Sequence, residues 1–129
     1  MDRPLPMNLT LWILQGLLAV VFAYSGLAKS TMSRQRLIAS GQTGIALFPM
    51  PVVRVTAVSE LLAVIGLLLP WATGTARVLT PLAAAGLCVV MIGAASSHTR
   101  LREPWAVAAN VLLFAIALTV AVGRFGQLG

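Results

Sequence analysis

Charge is scarce in this chain: Lys, Arg, Asp and Glu together make up 9% of its 129 residues, and only Asp2, Glu60 and Glu103 are acidic. With 59% apolar residues and a mean hydropathy of +0.95, the chain has too little polar surface to solvate an ordinary soluble domain, so it reads as an integral membrane protein. Cysteine occurs once, at Cys88 inside an apolar run, which excludes an internal disulfide and a paired-thiol redox centre. Histidine also occurs once, at His98, so the chain cannot supply two axial histidines to a haem, and no metal site is expected. The chain alone is therefore not expected to carry electrons.

A net charge of +6 and a pI near 11.5 would point to nucleic acid in a soluble protein. Here the basic residues mostly flank apolar runs, so they read as topology signals, and the expected partner is the lipid bilayer rather than nucleic acid. Four runs are long enough to cross a hydrocarbon core, at about 9–28, 52–69, 78–95 and 105–122. They predict an all-α, polytopic membrane protein, a four-helix bundle forming one membrane domain over 1–129.

The first run exceeds a usual signal-peptide core and three further spans follow, so it is expected to be a membrane helix, with Asn8 as its N-cap. On a helical wheel Gln15, Ala19, Phe22, Gly26 and Lys29 share one sector, which should face the bundle interior. Gly41, Gly44, Pro49 and Pro51 break the segment 30–51, which is expected to rest on the bundle as a loop or to form an interfacial lid. Pro70, Trp71 and Gly74 are expected to end the second span. The connection after the third span is expected to hold His98, Arg100, Arg102 and Glu103, with Pro104 opening the fourth.

Lys29, Arg34, Arg36, Arg54, Arg100 and Arg102 belong to the side of loops 1 and 3, against Arg3, Arg77 and Arg124 on the other. That imbalance predicts a multi-pass protein of the cell membrane with loops 1 and 3 in the cytoplasm and both termini outside.

Glu60 sits in the middle of an apolar run, roughly 12 Å from its start at 1.5 Å of rise per residue, where an unpaired charge is costly. Lys29, Arg54 and His98 fall on the same side of the membrane, and Asn110 lies at a similar depth, so these five residues are candidates to line one funnel. In it Glu60 would serve as an ion-pair partner for Lys29, Arg54 or His98, as an acceptor for a polar head group, or as a proton carrier. The alternative is a carboxylate that Asn110, Thr56 or Lys29 satisfies and that holds the helices in register. His98, beside Ser96, Ser97 and Thr99, reads as a loop residue placed for proton exchange with Glu60.

YSGLAK at the end of the first span, SELLAVIGLLLP around Glu60, LTPLAAAGL in the third span, H-x-R-x-R-E at 98–103 and the span with Asn110 together resemble the DoxX-like family of small bacterial membrane proteins. The resemblance implies a four-helix membrane bundle of the bacterial inner membrane. It also implies a role as a membrane subunit or accessory of an oxidoreductase, with Gly26, Lys29, Glu60 and the loop at 98–102 as the matching positions. The chain has no cofactor motif of its own, so the cofactor that role would involve is a quinone, bound near Glu60 or His98. A lipid-like ligand is the related expectation, and a homo-oligomer or a soluble or membrane oxidoreductase subunit is the expected protein partner. Two other classes stay open. One is a small proton-coupled transporter, although small multidrug exporters carry their key glutamate in the first helix, where this chain has only Gln15. The other is a ligand-free assembly or scaffold protein built on small-residue stripes such as Ser59, Ala63 and Gly66.

Overall fold

The computed structural model describes residues 6–128, and every regular element within them is helical. In chain order these are α1 (Met7–Thr31), α2 (Arg34–Ala39), a 3-10 turn (Thr43–Leu47), α3 (Met50–Thr73), α4 (Leu79–Arg100) and α5 (Pro104–Gly126). The four long helices are each long and apolar enough to cross a membrane, which makes the chain a multi-pass, all-α membrane protein. They pack as a ring in which α1 meets α3, α3 meets α4, α4 meets α5 and α5 returns to α1. Arg3 lies outside the described residues.

Apolar side chains coat the outside, among them Val20, Val55, Leu62, Val89 and Val122. A bilayer solvates that surface, so lipid contact alone cannot decide which helix faces turn inward; close packing and internal polar bonds do. The interior is a layer of Leu18, Phe22, Leu67, Leu87, Met91 and Val120. Glycines set the helix spacing around it. A Cβ on Gly26 would lie 2.8 Å from the Leu61 side chain and 3.1 Å from the Ala57 carbonyl oxygen, and one on Gly66 would lie 2.9 Å from Ala83 Cβ. Of the predicted small-residue stripe, Gly66 therefore packs on α4, whereas Ser59 is exposed.

All four spans are longer than predicted, each for a physical reason. Asn8 is not the N-cap: α1 starts two residues earlier than expected, at Met7 with Pro6 in the cap position, and Asn8 accepts instead from Arg124. Pro70 does not end α3, which continues to Thr73 and stops at Gly74 in the left-handed conformation, φ 70°. Proline cannot donate to the carbonyl four residues earlier, and that carbonyl, on Gly66, accepts a 2.8 Å bond from Thr80 Oγ1 of α4. The next carbonyl, on Leu67, accepts from Gln15 Nε2 of α1. The bond from Thr80 thus satisfies the carbonyl that proline opens, and the helix survives.

His98 is not a loop residue, because α4 runs on to Arg100 through Ser96, Ser97 and Thr99. Thr99 Oγ1 bonds back to the Ala95 carbonyl at 2.7 Å, the local bond by which a hydroxyl is accommodated inside a helix. The segment 30–51 forms a small second cluster, with Leu37 and Ile45 buried against Ala28 and Val53. Arg34 ties the 3-10 turn down by donating to the Ile45 and Phe48 carbonyls at 3.3 and 2.7 Å.

Candidate functional site

The close approach at Gly26 brings the last turns of α1 against α3, and two polar residues one turn apart on α1 then meet Glu60. Glu60 is fully buried, roughly 15 Å along α3 from its first residue at 1.5 Å per residue. Lys29 Nζ donates to its two oxygens at 3.2 and 3.5 Å, and Ser25 Oγ lies 3.2 Å from both. The Lys29 side chain is 13% exposed, so the ion pair is shielded on most sides, and Lys29 and Glu60 both border an open space.

That space is a cavity of about 360 Å³. Ser25, Lys29 and Glu60 form one polar wall, while Phe22, Val53, Met91 and Leu113 form the apolar ones. The 3-10 turn closes the loop side through Gln42, Gly44, Ile45 and Phe48. Val21 and Tyr24 line the cavity and are also 39% and 56% exposed on the bundle's outer surface, so the cavity reaches the lipid-facing side at α1. At the other end of the bundle Leu11 fills the space beside Gly123, so α1 and α5 are in tight contact there.

Four of the five candidate residues line the cavity: Lys29, Glu60, His98 and Asn110. Arg54 does not. Its Nη1 donates to the Lys29 carbonyl, which caps the end of α1 and leaves Glu60 to Lys29 and Ser25. Neither Asn110 nor Thr56 bonds Glu60; Asn110 Nδ2 donates to the Ala106 carbonyl of its own helix at 3.0 Å. His98 sits at the rim, where Nδ1 is 2.7 Å from Glu103 Oε1. Thr43 Oγ1 donates to that same oxygen at 2.9 Å, and Ser97 Oγ donates to the Gly44 carbonyl, so the turn is fastened to α4 and to the start of α5. Bonds from His98 and then Thr43 hold the Glu103 carboxyl below the usual carboxylate range.

Two residues of this arrangement, Ser25 and Glu103, are not among the five candidates the sequence offers. Ser25 lies four positions before Lys29, so the two share a helix face, and that spacing was its available signal. Glu103 follows His98 by five residues across a helix end whose extent had been misjudged.

A second polar cluster occupies the opposite end. Arg124 is not a flanking surface charge: it is fully buried, with Nε donating to Gln15 Oε1 at 2.6 Å and Nη1 to Asn8 and Gln127. Its guanidinium lies 4.4 Å from the centre of the Trp71 ring, and Arg77 lies 4.8 Å from the same ring.

Among the described residues no cluster of three His, Cys, Asp or Glu side chains is placed to hold a metal ion. The model of the DoxX-like family matches residues 13–120. No curated protein and no solved structure matches the chain.

Proposed function

The chain belongs to the DoxX-like family, and from that premise we propose that it is a membrane subunit or accessory of a redox system, binding a quinone or lipid-like ligand in the cavity beside Glu60. The observation that carries this reading is the pairing of one polar wall, built from Ser25, Lys29 and Glu60, with otherwise apolar walls that reach the lipid at Val21 and Tyr24. A ligand with a polar head and an apolar tail matches both surfaces. Its head would accept from the Lys29 ammonium, and its tail would leave between the helices. The side of loops 1 and 3 is assigned to the cytoplasm on the excess of Lys and Arg there.

Proton-coupled transport draws less support. Between the Glu60 site and the Gln15–Arg124 cluster lies a layer of Leu18, Phe22, Leu67, Leu87 and Val120, whose side chains offer no group to carry a proton or cation onward.

The test is purification in mild detergent, solvent extraction and mass spectrometry of what comes with the protein. A quinone or single lipid class should accompany the wild type in stoichiometric amount and be lost from Gly93→Phe, because Gly93 lines the cavity and has nothing within 4 Å of an added Cβ. Equal, non-specific lipid in both samples would remove the ligand reading.

A further inference from the structure

Glu103 does not border the cavity, yet it touches two groups that do, or that hold those that do. A carboxylate only accepts hydrogen bonds, and Glu103 Oε1 already receives the Thr43 hydroxyl at 2.9 Å. The 2.7 Å contact to His98 Nδ1 therefore requires the proton on Nδ1. In the neutral ring this leaves Nε2 as a lone-pair acceptor. Nε2 has no hydrogen-bond partner among the described residues, and it packs beside Gly44, 3.0 Å from where a Cβ would stand, at the rim of the same cavity that His98 and Gly44 line. With a neutral ring the cavity has opposite polarities at two places: Lys29 donates at the wall, and His98 Nε2 accepts at the rim.

We propose that Glu103 is a positioning residue that fixes His98 with Nδ1 protonated, so that Nε2 accepts a hydrogen bond from a hydroxyl on the ligand's head group. This rests on the ligand reading above and narrows its substrate class. A head group whose rim-facing oxygen carries a proton, as in a hydroquinone, is complemented at both ends. The corresponding quinone has only carbonyl acceptors and would set an oxygen lone pair against the Nε2 lone pair. No electron transfer is invoked; the claim concerns which form binds.

Two measurements on the full chain in nanodiscs test it. His98 is the only histidine in the chain, so ¹⁵N-histidine labelling reports this ring alone. The wild type is expected to show the neutral Nδ1-protonated tautomer. Glu103→Gln should show averaging of the two tautomers, because an amide both donates and accepts. Binding is then compared for a short-chain ubiquinol, kept reduced under anaerobic conditions, and the matching ubiquinone. One hydrogen bond gained or lost predicts a preference for the reduced form of about fivefold, abolished in Glu103→Gln and in His98→Phe. A wild-type ring protonated on Nε2 or averaged between tautomers overturns the proposal, as does equal binding of both forms. If neither form binds while the tautomer is as expected, the ligand reading fails and takes the specificity with it, whereas the role of Glu103 in orienting His98 stands.

Discussion

Thr80 on α4 donates a 2.8 Å hydrogen bond to the carbonyl of Gly66 on α3, the group that Pro70 leaves without its helical donor. A proline inside a membrane helix is thereby held in a continuous element by a side chain from its neighbour. Thr80→Val should lower stability by about 1 kcal/mol, the net worth of one buried hydrogen bond. In a Pro70→Ala background the backbone N–H returns, and the same substitution should cost less. Thermal unfolding in detergent of the four members of this cycle checks the coupling; equal costs in both backgrounds would refute it.

At the other end, Gln15 connects three helices, accepting from Arg124 and donating to the Leu67 carbonyl. Gln15→Leu strips a buried guanidinium of one acceptor and removes a second bond to the Leu67 carbonyl, with an expected loss of about 1–3 kcal/mol, chiefly from the unsatisfied guanidinium N–H. Adding Arg124→Met should recover part of that loss, since no buried charge is then left unpaired. The midpoint of chemical unfolding in detergent reports both.

Breaking the Lys29–Glu60 pair from one side strands a charge beside apolar walls. Lys29→Met is expected to destabilise by about 3 kcal/mol, whereas the double variant Lys29→Met with Glu60→Leu should return near wild-type stability. Ligand co-purification should nevertheless remain absent from the double variant. Retention of ligand there would show that the pair serves packing alone.

Helix spacing and site geometry are linked through Gly26. Gly26→Ile would force α1 away from Leu61 and the Ala57 carbonyl, with 1–3 kcal/mol the usual cost of overpacking, about 2 here. It should also separate Lys29 from Glu60. Crosslinking yield between cysteines introduced on the facing turns of α1 and α3 should fall in parallel with ligand retention.

The rim should respond to acid. The Glu103 carboxyl has its pKa lowered from the ordinary 4.5 in the folded chain, so its contribution is present above that value and is lost as pH falls through the lowered one. Protonation removes the acceptor shared by His98 and Thr43. The protection factors of amides 43–47, measured against the intrinsic exchange rate at each pH, should fall in that acid range in the wild type, and Glu103→Gln should flatten the dependence.

The four spans, and the gathering of Lys29, Glu60, His98 and Asn110 on one cavity, were legible because apolar length and an isolated carboxylate are strong signals in a chain this poor in charge. The inward sector of α1 was legible too, since Gln15, Ala19, Phe22 and Gly26 are all buried. The helix ends were not. Proline stops a helix where water competes for the backbone, but here Thr80 supplies the missing bond from within the protein. Arg124 was misread for a related reason: an arginine near a span's end looks like a membrane flank, and its burial depends on Gln15, more than a hundred positions earlier in the chain. Arg54 shows the limit of reasoning by depth alone, because a shared level in the membrane does not fix the direction of a long side chain, and this one turns back to cap α1.

The cavity's border at Val21 and Tyr24 has a practical consequence for anyone measuring occupancy. A molecule entering there is drawn from the plane of the bilayer, so saturation follows its mole fraction among the lipids instead of its aqueous concentration. Diluting the protein into a larger vesicle pool at constant bulk concentration should empty the site, while diluting the buffer should leave it filled.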